Sequence, residues 1–311
     1  MNIVYMGTPD FAVTILDALI TAGHHIEMVF TQPDRPKGRG KKMQAPPVAD
    51  YAKVHSLSLQ QPDSVKTPEV EENLRTLAPD VVIVAAYGRI IPDALLAIPR
   101  YGFINVHASL LPKYRGAAPI QWALRNGDAE TGVSIMKLET GLDEGPVYKM
   151  AALPIQPEWN KKDLFDALAT LGAEVLLDVL AHIDGMTPQP QDHANATFAP
   201  MFGKKDGCID FKMAASDIVN LSRALEPDDS IYTFINNQRL AFKNVTVSAN
   251  MESSMMPGTL CAVTKKGLDI VTGSGVLHVT EVQPAGKKPM PIHAFLNGHP
   301  LEIGDRFLNE S

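Results

Sequence analysis

The fold of this chain follows from one stretch, which reads Phe103-Ile104-Asn105-Val106-His107-Ala108-Ser109-Leu110-Leu111-Pro112-Lys113-Tyr114-Arg115-Gly116. Its opening residues are typical of a β-strand, in which every second side chain lies on the same face. Asn105 and His107 therefore share one face. Because Pro112 ends regular pairing, we expect both polar side chains at the carboxyl end of the strand, where open α/β sheets bind their ligands.

These two side chains and one aspartate are candidates for catalysis. A lone histidine at a strand end is more often a hydrogen-bonded structural residue, but the Asn-x-His pair combines a neutral donor with a titratable one. The third candidate is Asp143, which lies in Gly141-Leu142-Asp143-Glu144-Gly145 between two strand-like runs. The flanking glycines predict a sharp turn that can aim its carboxylate, although aspartate is also a common turn residue.

The sequence before this stretch indicates an open α/β sheet. Residues 2–6 are typical of a strand and residues 11–22 of an amphipathic helix, and the run from 81 to 86 is apolar throughout. Such a run fits a parallel strand that is buried on both faces. The first turn, Gly7-Thr8-Pro9-Asp10, has one glycine and a proline, so it lacks the dinucleotide fingerprint and argues against a nicotinamide or flavin cofactor. We predict a Rossmann-like fold.

The last hundred or so residues differ in character. Short strands separated by turn signals follow one another from residue 231 to residue 282, which is typical of a small β-barrel. The residues before them are rich in proline, glutamine and asparagine and show no periodicity. We therefore expect a catalytic domain at residues 1–188, a linker at residues 189–206 and an OB-like β-barrel domain at residues 207–311.

Composition and charge restrict the class of protein. The formal net charge of −7 argues against a general coating of nucleic acid, so any such contact must be a local patch. The two cysteines are far apart and lack metal-ligand spacing, which favours a reducing compartment without a disulfide framework. No signal peptide or membrane span is recognisable. We expect a cytoplasmic monomer with no metal and no membrane attachment.

One basic segment stands out against this acidic background. The segment from Gln32 to Lys42 has two glycines, no apolar anchor and five cations, which are Arg35, Lys37, Arg39, Lys41 and Lys42. A basic loop is usually a solvated surface. Beside an active site, a mobile cationic loop would suit a phosphate-rich substrate.

Several motifs resemble those of the folate-dependent formyltransferases. The resemblance is carried by Asn105-Val106-His107-Ala108-Ser109-Leu110-Leu111-Pro112, Arg115-Gly116-Ala117-Ala118-Pro119, Gly132-Val133-Ser134-Ile135-Met136 and Gly141-Leu142-Asp143-Glu144-Gly145. That family transfers a formyl group from 10-formyltetrahydrofolate to an amine, and its signature is an Asn, a His and an Asp in this order. The resemblance implies that Asn105, His107 and Asp143 are catalytic.

The implied mechanism follows from charge. Asn105 would donate a neutral hydrogen bond to the oxyanion that develops when the amine attacks the formyl carbon, and a protonated His107 would donate a charged one. Asp143 would hold His107, stabilise its positive charge and, through water, help to take the amine proton. No metal or covalent intermediate is needed, because the formyl donor is already activated.

The resemblance extends to the family members that act on initiator methionyl-tRNA. It is carried by Gly7-Thr8-Pro9-Asp10-Phe11, Lys205-Asp206-Gly207, Ile209-Asp210-Phe211 and Phe295-Leu296-Asn297-Gly298. One departure is Pro227-Asp228-Asp229-Ser230, where the family often has Pro-Trp-Pro-Gly. It loses an aromatic side chain and adds two charges, which puts a substrate contact by that loop in doubt.

The resemblance also assigns two binding regions. The folate would lie beside Ser109, Leu110, Leu111 and Pro112, with Gly88 and Ile91 contributed by the loop that follows the apolar strand. The basic segment with its five cations would enter the acceptor arm of the tRNA. Arg39 is the residue to which the resemblance assigns this contact first.

Three functions remain to be compared. The first is formyl transfer to the methionine carried by initiator tRNA. The second is transfer by the same core to a small amine, an amino sugar or water, which would leave the basic segment and the barrel unexplained. The third is a catalytically silent RNA-binding protein, against which stand the three intact catalytic positions and the acidic net charge.

Overall fold

The computed structural model describes residues 1–37, 40, 42–249 and 254–309, which fall into two compact units. The first unit comprises Met1–Pro119, Glu130–Ile155 and Leu164–Pro200. The second comprises Ile120–Ala129, Gln156–Asp163 and Met201–Ser311. None of the described helices combines the length and apolar character needed to cross a bilayer.

The first unit is built from strands and helices in alternation. Its strands are β1 (Asn2–Gly7), β2 (His25–Phe30), β3 (Arg35–Lys37), β4 (Lys42–Gln44), β5 (Leu59–Gln60), β6 (Val81–Ala85), β7 (Phe103–His107), β8 (Glu130–Lys137) and β9 (Val147–Pro154). The helices along the same part of the chain are α1 (Asp10–Thr21), α2 (Pro47–Val54), α3 (Pro68–Leu77), α4 (Asp93–Leu96), α5 (Pro119–Arg125) and α6 (Lys161–His182).

The main sheet confirms the predicted Rossmann-like fold. Its strand order is β5-β2-β1-β6-β7-β8-β9, and the five strands from β5 to β7 are parallel whereas β8 and β9 are antiparallel. Every residue of β6 is buried, as expected of a parallel strand covered on both faces. Gly7 pairs with Ala85, and Val84 pairs with Asn105. The loops after β1 and β6 therefore emerge at the edge of the sheet where Asn105 lies.

The basic segment differs from the unstructured loop that the sequence predicted. Its two flanks, β3 and β4, form an antiparallel pair in which Arg35 lies opposite Gln44 and Lys37 lies opposite Lys42. Backbone hydrogen bonds hold such a pair regardless of side-chain pattern, so the lack of apolar alternation did not reveal it. Arg39 and Lys41 lie outside the described residues.

A reciprocal side-chain cap lies at the start of α6. Asn160 Oδ1 accepts hydrogen bonds from the backbone N–H groups of Lys162, at 2.7 Å, and Asp163, at 3.3 Å. Asp163 Oδ2 accepts in return from the Asn160 N–H at 3.0 Å. This reciprocal arrangement satisfies N–H groups that have no partner within the helix, and it fixes where α6 begins.

The second unit confirms the expected small barrel-like domain. After α7 (Ala215–Leu225), its strands are β10 (Tyr232–Ile235), β11 (Gln238–Val247), β12 (Leu260–Val263), β13 (Leu268–Val271), β14 (Val276–Pro284) and β15 (Met290–Pro291), and α8 (Ile292–Leu296) follows. The antiparallel order is β10-β11-β14-β13-β12, with β15 beside β14. Asn236 and Asn237, which connect β10 to β11, both have positive φ, as expected for a two-residue hairpin turn.

The C-terminal residues link the two edges of this sheet. Leu308 bridges to Phe234 of β10, and Arg306 bridges to Thr259, which lies just before β12. The sheet is thereby curled into a half-barrel around an apolar core that includes Phe242, Leu260 and Phe307.

Candidate active site

The His107 side chain is fixed at the carboxyl end of β7. It is 5% exposed, and its Nε2 lies 3.0 Å from the carbonyl oxygen of Tyr114. A carbonyl oxygen can only accept a hydrogen bond, so Nε2 must carry a hydrogen. The other ring nitrogen, Nδ1, is therefore available to interact with a charged partner or a substrate.

That partner is Asp143, which lies in the loop between β8 and β9. Its Oδ2 is 3.7 Å from His107 Nδ1 and accepts a hydrogen bond from the Gly116 N–H at 2.8 Å. The residue has a φ of 49°, a region that non-glycine residues seldom occupy. The predicted sharp turn therefore does aim the carboxylate at the histidine, and the imidazolium form of His107 would face a negative charge.

Asn105 completes the group on the same face of β7. It is half-buried, and within the described part of the chain its side-chain amide makes no hydrogen bond. A partly buried amide without an internal partner is available to a bound molecule. The structure thus brings Asn105 and His107 to one strand end and places Asp143 against His107.

The predicted folate loop at residues 109–112 is hydrogen-bonded through its backbone to the side chain of Ser134 in β8. The Ser134 hydroxyl donates to the Ser109 carbonyl at 2.7 Å and accepts from the Leu111 N–H at 3.0 Å. Ser109 is fully buried, and its own hydroxyl donates to the Lys113 carbonyl at 2.6 Å. Leu111 is also buried, so Leu110 and Pro112 are the half-buried members of the loop.

Removal of the Ser134 hydroxyl should loosen this loop. Ser134→Ala leaves a buried N–H and a buried carbonyl without that partner, so we expect the free energy of unfolding to fall by about 1–3 kcal/mol. Binding of tetrahydrofolate should weaken in parallel. Chemical denaturation and folate titration measure the two effects. Ser58→Ala, at an exposed position, is the control, and equal stability and folate affinity in both variants would contradict the support assigned to Ser134.

The second predicted folate segment follows β6. Gly88 has a φ of 77° and is exposed, whereas Ile91 is 9% exposed and packs in the apolar core. Gln32 Nε2 donates to the carbonyls of Tyr87 and Gly88, at 3.0 Å each. Burial raises the pKa of Tyr87 to about 12, so its hydroxyl stays neutral. Gly88 is thus the accessible one of the two predicted residues.

The base of the basic segment is bonded to this same loop. Arg35 Nη2 donates to Gln32 Oε1 at 2.8 Å, and Gln32 holds the Gly88 carbonyl through its amide nitrogen. Lys42 is exposed in β4, and the backbone of Lys37 lies in β3. Among the predicted tRNA contacts that the structure describes, Arg35 is the one connected to a predicted folate residue.

Two buried polar residues near Asp143 were missed in the sequence. Arg115 is 3% exposed, and its Nε and Nη2 donate to Gln191 Oε1 at 3.1 and 2.7 Å. Gln191 Nε2 donates to the carbonyls of Asp143 and Gly145 at 2.8 and 2.7 Å. Arg115 stands in a motif that carries the resemblance, which was a usable signal. Gln191 lies in a segment without periodicity, so no feature of the sequence indicated that it is buried.

The loop that departs from the family pattern has an internal charge partner. Asp228 Oδ2 lies 2.6 Å from Lys161 Nζ, which is mostly buried. Both residues belong to the second unit. The first of the two added charges is therefore balanced within that unit.

The site brings an amide and an imidazole at the carboxyl end of β7 together with a carboxylate from the β8–β9 loop, and these groups can donate hydrogen bonds and exchange protons. The family model described as "Formyl transferase" matches residues 1–180, and the one described as "Formyl transferase, C-terminal domain" matches residues 202–300. The chain belongs to the formyl transferase family. It is therefore a one-carbon group transferase, and the donor in this family is 10-formyltetrahydrofolate.

Curated relatives match both units. The methionyl-tRNA formyltransferase of Dictyoglomus turgidum is 45% identical over 314 residues, which covers 99% of this chain and 100% of the relative. The protein of the same name from Trichlorobacter lovleyi is 42% identical over 308 residues, covering 97% of this chain and 96% of its own.

A solved structure agrees in fold at low identity. An N-formyltransferase from Helicobacter canadensis, in complex with folinic acid and dTDP-3-aminofucose, superposes with a TM-score of 0.67. It is 16% identical and covers 91% of this chain and 98% of that chain.

Proposed function

We propose that this protein transfers the formyl group of 10-formyltetrahydrofolate to the α-amine of the methionine carried by initiator tRNA, for use in translation initiation. The observation that carries the choice of acceptor is the match over nearly the full length, through both units, to relatives named methionyl-tRNA formyltransferase. A match restricted to the first unit would have left the acceptor open among many amines.

Asn105 and His107 are proposed to stabilise the developing oxyanion. The Asn105 amide, which has no hydrogen bond within the described residues, donates to the formyl oxygen. Because His107 Nε2 is bonded to the Tyr114 carbonyl, we assign the charged donor role to Nδ1. That nitrogen faces Asp143, whose carboxylate balances the imidazolium charge.

Asp143 is proposed to act in the loss of the amine proton. Its Oδ2 is occupied by the Gly116 N–H and by His107, whereas Oδ1 has no hydrogen bond within the described part of the chain. Oδ1 is therefore the oxygen that a water molecule or the attacking amine can reach. The role suits a carboxylate that is 14% exposed, since complete burial would exclude the proton acceptor from water.

A separate binding region is proposed for each of the two substrates. Residues 109–112 together with Gly88 and Ile91 hold the folate, and the basic segment with Arg35, Lys37, Arg39, Lys41 and Lys42 contacts the tRNA. We further propose that the protein works in the cytoplasm as a monomer. The two cysteines form no disulfide, which suits a reducing compartment.

A comparison of acceptors tests the proposal. The purified protein and labelled 10-formyltetrahydrofolate are supplied with initiator methionyl-tRNA, uncharged initiator tRNA, an amino-sugar nucleotide or glycinamide ribonucleotide. We expect kcat/KM to be highest for methionyl-tRNA and no transfer to uncharged tRNA. A small amine or amino sugar as the preferred acceptor, or label released only as formate, would replace the proposal by the corresponding alternative.

A further inference from the structure

Residues 189–199 form an extended segment, here called the strap, that pairs with Val147 of β9 and with the loop after β7. The backbones of Gln189 and Val147 exchange two hydrogen bonds of 2.8 Å. Further along, the Arg115 N–H donates to the Thr197 carbonyl and the Ala199 N–H donates to the Arg115 carbonyl, both at 2.8 Å. The strap is therefore paired with Val147, the first residue of β9, at one end and with the loop after β7 at the other.

The side-chain amide of Gln191, in the strap, is hydrogen-bonded through both its nitrogen and its oxygen. It is 9% exposed, its Nε2 donates to two carbonyls and its Oε1 accepts from two nitrogens of one guanidinium. Both N–H groups and the oxygen of its amide are thus occupied. An amide held in this way has one orientation, because a flipped amide would place its oxygen against the carbonyls.

The partners of Gln191 flank the His107–Asp143 pair on both sides. On one side are the carbonyls of Asp143 itself and Gly145. On the other is Arg115, which lies between Tyr114, whose carbonyl holds His107, and Gly116, whose N–H holds Asp143. One side chain therefore joins the turn that carries the carboxylate to the loop that carries both backbone contacts of the pair.

We propose that Gln191 is a positioning residue for formyl transfer, which fixes the Asp143 turn against residues 114–116 and thereby sets the separation of Asp143 from His107. The inference rests on the catalytic role proposed for that pair. It adds a residue that touches neither substrate. Misplacing a catalytic group by about 1 Å can lower a rate by about a hundredfold, so a side chain of this kind can control the rate from outside the centre.

Gln191→Glu distinguishes the bonds that Gln191 accepts from Arg115 from the bonds that it donates to the Asp143 turn. The substitution retains an oxygen for Arg115, which also has His193 Nδ1 at 3.2 Å and Glu144 Oε2 at 3.9 Å. It removes the donor to the carbonyls of Asp143 and Gly145 and sets an oxygen against them. The turn should therefore shift while Arg115 remains paired.

The matched control is Gln189→Glu, two positions earlier on the strap. The Gln189 side chain is exposed and donates to the nearby Thr187 carbonyl at 2.9 Å. The control introduces the same charge on the same segment without touching the Asp143 turn. Gln191→Met, which is neutral and of similar length, serves as the second variant should Gln191→Glu unfold.

We expect kcat to fall by about 10- to 100-fold in Gln191→Glu or Gln191→Met, with the KM for folate and for methionyl-tRNA changed less than about threefold. The NMR signal of the His107 imidazole should also shift. Gln189→Glu should match the wild type in both measurements.

A kcat within about twofold of wild type in a folded Gln191 variant, or an equal loss in Gln189→Glu, would overturn the inference, as would an effect confined to KM. The wild type separates this outcome from failure of the proposed function. If the wild type formylates methionyl-tRNA and the Gln191 variants do so equally well, only the inference fails. If the wild type does not, the proposed function itself fails.

Discussion

Asn105→Ala, His107→Ala and Asp143→Ala are each expected to lower the single-turnover rate of formyl transfer by about a hundredfold or more. Each substitution removes a group proposed to donate to the developing oxyanion, to carry its countercharge or to accept the amine proton. The affinity for methionyl-tRNA should barely change, because the three side chains lie at the end of β7 and in the β8–β9 loop, and not in the basic segment. Rapid-quench kinetics with enzyme in excess isolates the chemical step.

Matched substitutions separate this effect from general damage. His55→Ala and Asp63→Ala remove an imidazole and a carboxylate, as two of the three site variants do, at exposed positions of the first unit, and they should leave the rate unchanged. A near wild-type single-turnover rate in any one of the three site variants would remove that residue from the mechanism. Loss of tRNA affinity in parallel with the rate would indicate a binding role instead.

Neutralising Arg39, Lys41 and Lys42 together is expected to weaken the salt dependence of tRNA binding. If each contacts a phosphate, the slope of log affinity against log salt should flatten by about 2–3 units through reduced counterion release. Formylation of methionyl-tRNA should fall strongly. Hydrolysis of the donor by water, or transfer to a small amine that mimics the aminoacyl end, should be unchanged, because the reacting groups lie elsewhere.

The control for this variant carries the same change in charge on other elements. Arg75, Lys53 and Lys66 are exposed on the first unit, and their combined conversion to glutamine should leave the slope and the rate as in the wild type. An equal effect in both triple variants would show a response to net charge alone. Full activity and an unaltered slope in the Arg39, Lys41 and Lys42 variant would make the segment a solvated hairpin.

Much of the site could be predicted because it depends on local pattern. Alternation along β7 placed Asn105 and His107 on one face, and the flanking glycines predicted the turn of Asp143. The apolar run at residues 81–86 likewise predicted that β6 is a parallel strand buried on both faces. These predictions rest on the pattern of neighbouring residues, which can be read directly from the sequence.

The remainder could not be predicted because it depends on contacts distant in the sequence. Gln191 meets Arg115 across 76 positions, and nothing in the composition around Gln191 marks it as buried. The β3–β4 pair likewise rests on backbone hydrogen bonds between strands rich in charge, where apolar alternation is lacking. The orientation of His107 is a third case, since the bond from Nε2 to the Tyr114 carbonyl leaves Nδ1 as the nitrogen to which we assign the donor role.

The central claim is most directly tested by identifying the product. Labelled 10-formyltetrahydrofolate and initiator methionyl-tRNA are incubated with the protein, the aminoacyl ester is hydrolysed, and the released amino acid is analysed by mass spectrometry. We expect N-formylmethionine, with the labelled formyl group on the α-nitrogen, from the wild type and almost none from Asp143→Ala in the same time. Unmodified methionine together with labelled formate in solution would contradict it.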